Sequence, residues 1–277
     1  MVRDPDHLCL LCKINFATQK NSHIIPKFLA KPILGENKRK ASYTINPRAS
    51  RIVSKPEQDS PKENYILCPK CEKYFENLET YVSQKIFYPL RNNKVKENID
   101  IHRDEGGKEQ LYIQGVNTQT VCFFLLSLFW RCSISSIPPF QGFKLPNSEE
   151  FRRLLYEDLI RKDRGADILR TFNEGFSMPL IVFKVKEDHD HTENLIYPVG
   201  NEATGLWQIM VDDMLFWYCM PEHPILKVLE PQGIHGNEVA LITLVDLEFW
   251  RGLKQFLFKN TAALAIESLK GSIGINT

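Results

Sequence analysis

Two Cys-x-x-Cys pairs constrain the fold of this chain more than any other feature of its sequence. Cys9 and Cys12 lie in "CLLC", and Cys68 and Cys71 lie in "CPKC". A two-residue gap lets both thiolates of one turn bind the same ion, and zinc prefers four tetrahedral ligands of this kind. The two pairs therefore predict a structural zinc site that joins the N-terminal segment to a later part of the chain.

The other three cysteines, Cys122, Cys132 and Cys219, are scattered in apolar surroundings, which is typical of core packing. A redox Cys-x-x-Cys motif needs only one pair in a βαβ context, and the sequence shows no such context. The N-terminus has no apolar segment of a secretory signal, and the apolar run at 121–130 is about half the length of a membrane span. We expect a cytoplasmic protein that does not associate with membranes.

The charge of the chain is unevenly distributed although its net value is only +1. Residues 1–100 hold 18 Lys and Arg against 11 Asp and Glu, whereas the remainder holds 17 against 23. A basic N-terminal third indicates contact with phosphates. A solvated basic surface is the alternative, and charge alone does not decide between them.

The order of sequence patterns predicts an α+β protein. A strand is expected at 64–67 and a helix from Glu72, followed by helices at 117–133 and 147–162 and a β-rich segment from residue 178. We divide the chain into a zinc-stapled module at 1–92, a polar linker at 93–110 and an α+β domain at 111–277. The last domain is expected to combine a helical part with a small antiparallel sheet, and to serve in regulation, targeting or partner binding.

Three segments together resemble the HNH endonucleases that carry a structural zinc. They are "CLLC" at 9–12, "SHIIP" at 22–26 and "ENYILCPKCE" at 63–72, and the resemblance covers about residues 8–85. It implies a treble-clef-like ββα-metal module in which a hairpin and a helix grip one Mg²⁺ or Mn²⁺ ion beside the scissile phosphate. The implied reaction is hydrolysis of a DNA phosphodiester bond. By family analogy alone, the role would be bacterial defence against phage or mobile DNA.

The resemblance also assigns roles to individual residues. His23 would be the general base, a role that suits a group with a pKa near neutrality. Asn64 would fix the loop that orients this histidine. Glu72 stands where the family usually has its last histidine, and a carboxylate there can hold a hard divalent ion. Ser22 stands where the family usually has an aspartate or histidine ligand, so both ligand positions differ from the common form.

Basic residues near His23 are candidates for contact with the DNA backbone. Lys27 is close to His23 in sequence, and the polar insertion that follows carries Lys38, Arg39, Lys40, Arg48 and Arg51. Such contacts contribute affinity that depends on salt but not on base sequence. A solvated loop is the alternative interpretation of the insertion.

Two other functions stay open at this point. The departures at Ser22 and Glu72 favour a non-catalytic zinc-binding module that contacts nucleic acid or a partner protein. Alternatively, residues 111–277 act as a sensor or scaffold and the zinc module is subordinate, although the acidic charge of that part argues against DNA binding there.

Overall fold

The computed structural model describes residues 3–34, 42–44, 56–57, 59–91, 98–103, 107–163, 180–186, 195–202, 204–220, 239–255 and 259. The helices are α1 (Lys27–Leu34), α2 (Pro69–Val82), α3 (Tyr88–Arg91), α4 (Thr118–Ile134) and α5 (Ser148–Asp163), with further helical residues at 247–255. The strands are β1 (Ser22–His23), β2 (Ser42–Thr44), β3 (Pro56–Glu57), β4 (Lys62–Glu63), β5 (Ile99–Arg103), β6 (Glu109–Gln114), β7 (Leu180–Val185), β8 (Leu195–Asn201), β9 (Leu206–Val211), β10 (Met214–Cys219) and β11 (Val239–Val245). The expected α+β class is confirmed.

The main sheet has nine strands in the order β3-β2-β8-β9-β10-β7-β11-β6-β5. Two of its pairings, β2 with β8 and β7 with β11, are parallel. The predicted small antiparallel sheet is therefore wrong in size and in type. Strands from the basic insertion and from residues 99–114 extend the sheet. The sequence "ASYTI" at 41–45 favours a short strand, and β2 lies within it, whereas the strands at 99–114 were not predicted.

The polar segment predicted as a linker contains the edge strand β5 and the start of β6. One neighbour is enough for an edge strand, so β5 keeps polar and exposed side chains and carries little hydrophobic signal. The division of the chain into a zinc module and a C-terminal domain stays a prediction.

Both faces of the central strands β7, β9 and β10 are buried, because alternate side chains of each strand point to opposite sides. One face, with Val182, Ile209 and Phe216, belongs to a core that also includes most of α4. The other face packs with Trp250 from the helical residues 247–255. Helix α4 is buried along most of its length, as its apolar sequence predicts, and Asn117 caps it by accepting a hydrogen bond from the Thr120 amide at 2.8 Å.

The N-terminal residues share the first of these cores. Cys9, Ile24, Leu29 and Phe75 pack in the same cluster as residues of α4 and of the sheet. The rings of Phe75 in α2 and Trp130 in α4 lie 5.9 Å apart, which is normal for packed aromatic pairs. No helix within the described ranges is long and apolar enough to cross a bilayer.

A separate two-stranded sheet positions the candidate site. In β1 and β4, Ser22 pairs with Glu63 and His23 pairs with Lys62, although residues 24–61 lie between the strands. The strand predicted at 64–67 is wrong, because the backbone bends there and Tyr65 takes a left-handed φ of 59°.

Helix α2 begins directly after this bend. Pro69 occupies its first turn, where the missing N–H of proline costs nothing. The helix expected from Glu72 is therefore present, and it starts earlier than predicted.

Candidate metal centre and the adjoining hairpin

The four paired cysteines lie together and can hold a metal ion such as zinc. The four sulfur atoms of Cys9, Cys12, Cys68 and Cys71 all lie within 4.8 Å of one another, and all four residues are buried. The sulfurs of Cys12 and Cys68 are 3.9 Å apart. Tetrahedral zinc with bonds of about 2.3 Å requires sulfurs about 3.8 Å apart, so the cluster has the right size for the ion.

Backbone hydrogen bonds shape the first cysteine turn. The Cys9 amide donates to Asn15 O at 2.7 Å, and the Cys9 carbonyl accepts from the Lys13 amide at 2.9 Å, where Lys13 has a left-handed φ of 54°. The Leu10 amide donates to Ile66 O at 2.9 Å, which joins the first turn to the segment before Cys68. This hydrogen bond connects the two halves of the cluster directly.

The second cysteine pair opens α2. Cys68 is the residue before the first helical turn, and its carbonyl accepts from the Glu72 amide at 3.0 Å. Thiolates are stabilised at the start of a helix by its unpaired N–H groups.

The thiols of the cluster share protons unevenly. The Cys71 thiol donates a hydrogen bond that lowers the pKa of Cys9 to about 5. The same bond, with burial, raises the pKa of Cys71, and burial raises that of Cys68. Four sulfur ligands crowded in this way favour a bound cation, because the cation replaces thiol protons and removes the repulsion between thiolates.

A hydrogen bond connects the hairpin to α2 beside the cysteine cluster. The hydroxyl of Ser22 in β1 donates to Glu72 Oε2 at 2.7 Å. Ser22 is fully buried and Glu72 is partly buried. Burial raises the pKa of Glu72, while the bond from Ser22 and the charge of Arg131 oppose that rise. The two residues assigned to a divalent ion by resemblance are thus in direct contact.

His23 follows Ser22 and is partly buried. Its Nδ1 forms a hydrogen bond with the Ser60 hydroxyl, while no hydrogen bond to Nε2 occurs in the part of the chain that the structure describes. Burial and the positive charge of Lys62 lower the pKa of His23 to about 4, and Arg131 and Lys27 add to the shift. The imidazole is therefore neutral at physiological pH and keeps one nitrogen able to accept a proton.

Asn64 lies in the bend that follows β4, and its side chain contacts the turn that precedes β1. Its Oδ1 accepts from the backbone amide of Asn21 at 2.8 Å, and Asn21 has a left-handed φ of 58°. Asn64 therefore fixes the backbone turn just before Ser22 and His23 and does not contact these two side chains itself through this bond.

The three residues assigned by resemblance do not form a ready-made ion site with other acidic groups. Within the described residues, the cysteine cluster is the one group of three or more His, Cys, Asp or Glu side chains with converging ligand atoms. Mg²⁺ commonly takes only one or two protein carboxylates and completes its shell with water and phosphate. Glu72 and Ser22 fit a site in which water and phosphate supply most of the ligands, and they are too few for a site made of protein ligands alone. The divalent-ion site stays a prediction.

Sequence reasoning missed Arg131, which lies in α4 and is only 2% exposed. Its Nη1 donates to the backbone oxygen of His23 at 2.7 Å and to Glu79 Oε1 at 2.6 Å. The signal for it was present, since an arginine at the end of a long apolar run must be paired if the helix is buried.

Glu63 of β4 was also missed. This buried carboxylate pairs with Arg3 at 2.9 Å, and it accepts from the Ser135 hydroxyl at 2.8 Å and the Ser136 amide at 3.0 Å. It therefore attaches the hairpin to the C-terminal end of α4.

The basic residues predicted to contact DNA are only partly described. Lys27 is exposed at the start of α1, and its charge reaches His23. Lys38, Arg39, Lys40, Arg48 and Arg51 lie outside the described residues.

Comparison with known proteins adds no relative from which a function can be transferred. No protein-family model, curated protein or solved structure matches the chain.

Proposed function

We propose that the protein is a metal-dependent HNH-type endonuclease that hydrolyses DNA phosphodiester bonds. The observation that carries the proposal is the arrangement of hairpin and helix: His23 lies on β1, and the adjacent Ser22 bonds Glu72 on α2 at 2.7 Å. This order of strand, strand and helix beside four clustered cysteines supports a treble-clef-like ββα-metal module. A role in defence against phage or mobile DNA rests on the family resemblance alone.

In this proposal His23 is the general base. A neutral imidazole whose Nδ1 is held by Ser60 presents Nε2 as the proton acceptor for an attacking water. Asn64 acts indirectly, because it holds the backbone turn at Asn21 that precedes His23.

The proposed divalent ion would be held by Glu72 and Ser22, with water and the substrate phosphate completing its shell. When bound, Mg²⁺ or Mn²⁺ stabilises negative charge on the phosphate and on the leaving oxygen. The buried hydroxyl of Ser22 orients the Glu72 carboxylate.

The proposed substrate is DNA, which is attracted by the basic N-terminal third of the chain. Lys27 is exposed and near His23, so it is placed to hold a phosphate next to the base. The charges of the insertion add contacts that do not depend on base sequence.

A second candidate is a non-catalytic zinc module that binds nucleic acid or protein. Two observations favour it: the pKa of His23 is lowered to about 4, which weakens it as a base, and Glu72 is already engaged by Ser22.

A plasmid-nicking assay with Mg²⁺ or Mn²⁺ separates the two functions. The nuclease predicts nicking by the zinc-loaded protein and its loss in His23→Ala with folding and zinc content unchanged. His102→Ala is the matched control, because His102 is exposed on the edge strand β5. Absence of nicking by the zinc-loaded wild type with either ion, or full activity of His23→Ala, would refute the nuclease.

A further inference from the structure

A cavity of about 390 Å³ lies on the surface beside α1. It is formed by α1, by the π-helical segment Ser83–Phe87 and by α3, and its walls include Phe28, Pro32 and Tyr88. Helix α1 begins only four residues after His23. The cavity and the proposed catalytic residues therefore share one short stretch of chain.

Aromatic side chains line this cavity, and one of them, Phe28, packs against two other aromatic rings. Phe28 packs against Phe87 and Phe124 with ring centroids 5.1 Å and 5.7 Å away, respectively. Tyr88 lines the cavity and is 59% exposed. The π-helical segment brings Phe87 and Tyr88 to the cavity, and such segments occur frequently at functional sites.

The rim of the cavity is cationic. Lys31 and Arg91 line it, and the Arg91 guanidinium donates to the Phe28 backbone oxygen at 3.1 Å. Across the described ranges neither residue forms an ion pair with a carboxylate, while Asp212 and Asp213 act on Arg91 only at longer range. An aromatic cavity with two such cations favours a ligand that combines a flat ring with a negative charge.

We propose that this cavity binds an unpaired nucleotide of the nucleic-acid substrate. Its base stacks on Tyr88 and Phe28, and its phosphate lies at Lys31 and Arg91. The proposal rests on the nuclease function, and it adds that the substrate has a single-stranded stretch beside the cleaved bond.

An unpaired nucleotide fits the cavity better than a duplex does. Bases within a duplex are stacked on each other, so only an unpaired base exposes a face to aromatic side chains. Lys27 and Lys31 lie one turn apart on α1, about 6 Å along its axis, so exposed cations lead from His23 to the cavity. A nucleic-acid backbone that follows these cations runs from the hairpin towards the cavity.

Binding of labelled oligothymidylate and of a blunt duplex of equal length, measured by fluorescence anisotropy in full-length His23→Ala, tests this proposal. Single strands should bind more tightly than the duplex. Adding Tyr88→Ala should weaken single-strand binding roughly tenfold and leave duplex binding unchanged. Adding Lys31→Ala should weaken single-strand binding. It should also reduce the slope of the logarithm of the binding constant against the logarithm of the salt concentration by about 0.7.

Matched variants control for the loss of an aromatic ring or a charge elsewhere. Phe16 is 60% exposed beside the cysteine cluster, and Lys85 is exposed on the π-helical segment without lining the cavity. Phe16→Ala and Lys85→Ala should each bind single strands as the parent does. Tyr88→Phe keeps the stacking surface and should also retain affinity, which guards against a folding defect in Tyr88→Ala.

The outcomes distinguish the cavity from the nuclease function. If plasmid is nicked but Tyr88→Ala and Lys31→Ala bind single strands normally, the cavity proposal is overturned and the nuclease stands. An equal loss for strand and duplex also overturns it. If the variants weaken single-strand binding but no nicking occurs, the cavity is a nucleotide site in a non-catalytic protein.

Discussion

Arg131 in helix α4 donates a hydrogen bond to the backbone oxygen of His23 at a distance of 2.7 Å. The same nitrogen donates to Glu79 in α2 at 2.6 Å, and the guanidinium lies over the Phe75 ring at 5.2 Å. One buried cation therefore fixes the histidine strand against α2. The orientation of His23 depends on a residue far from it in sequence.

Replacing Arg131 with methionine should destabilise the fold strongly. The change leaves the Glu79 carboxylate and the His23 carbonyl without their donor, and loss of one partner of a buried ion pair costs about 3–5 kcal/mol. Urea unfolding monitored by circular dichroism measures the change. Arg153→Met removes an exposed pair with Glu157 and should cost less than about 1 kcal/mol. Equal effects of the two variants would contradict the structural role of Arg131.

If the cysteine cluster holds zinc, removal of the metal should expose four of the seven cysteines to alkylation. All seven are buried, so the metal-loaded protein should resist iodoacetamide at neutral pH. A strong chelator should release Cys9, Cys12, Cys68 and Cys71, while Cys219 stays unreactive because burial raises its pKa to about 12. Mass spectrometry identifies the modified residues.

Variants of single cysteines check the same assignment through metal content. Cys12→Ser removes one of the four clustered sulfurs and should lose most of the zinc found by elemental analysis. Cys122→Ser should keep it, because Cys122 lies in α4 outside the cluster. A chelator-treated protein in which Cys219 reacts as readily as Cys9 would argue against a local metal site.

His23 should make the stability of the protein depend on pH in the acidic range. Its pKa is lowered from 6.5 to about 4 in the folded protein. The unfolded chain therefore takes up the proton first, so the contribution of His23 is complete above pH 6.5 and is lost as pH falls towards 4. The difference in unfolding free energy between wild type and His23→Gln should shrink over this window. An NMR titration of His23 with a midpoint near 6.5 would disprove the shift.

Glu63→Gln should loosen the hairpin. The buried carboxylate pairs with Arg3 and accepts hydrogen bonds from Ser135 and Ser136. Loss of its charge should lower the free energy of unfolding by about 1.5–3 kcal/mol, the usual range for hydrogen bonds to charged groups. Differential scanning calorimetry measures the effect. Glu76→Gln, which disrupts an exposed pair on α2, is the control and should lie within about 1 kcal/mol of wild type.

Helices α2, α4 and α5 and the cysteine cluster were predictable because their signals are local. The two Cys-x-x-Cys pairs predict one shared site, and the structure brings their four sulfurs together. The apolar run that contains Phe124 predicts a buried helix, and α4 is buried along most of its length. The hairpin was harder to locate. Its strands are only two residues each, and the positive φ of Tyr65 excludes a strand where the sequence "NYIL" favours one.

The contacts that hold the candidate site were not predictable from local pattern. Arg131 and Glu63 are polar residues whose partners lie in distant elements, and sequence spacing does not reveal which partners they meet. The mixed sheet escaped prediction for the same reason, since a parallel pairing between β2 and β8 joins segments that are remote in the chain. Local periodicity reports which side of an element is buried and does not identify its neighbour.

The insertion between β1 and β4 contributes a strand to a sheet that is mostly synthesised after the cysteine cluster. All four clustered cysteines have been made once Cys71 has left the ribosome, whereas β2 can pair only with β3 until the strand that begins at Leu195 has been translated. A metal ion that binds these cysteines at that stage meets a chain in which most of the main sheet is still to be made. The cysteine cluster would then secure the N-terminal hairpin and hold the insertion near its future neighbour while the rest of the chain is made.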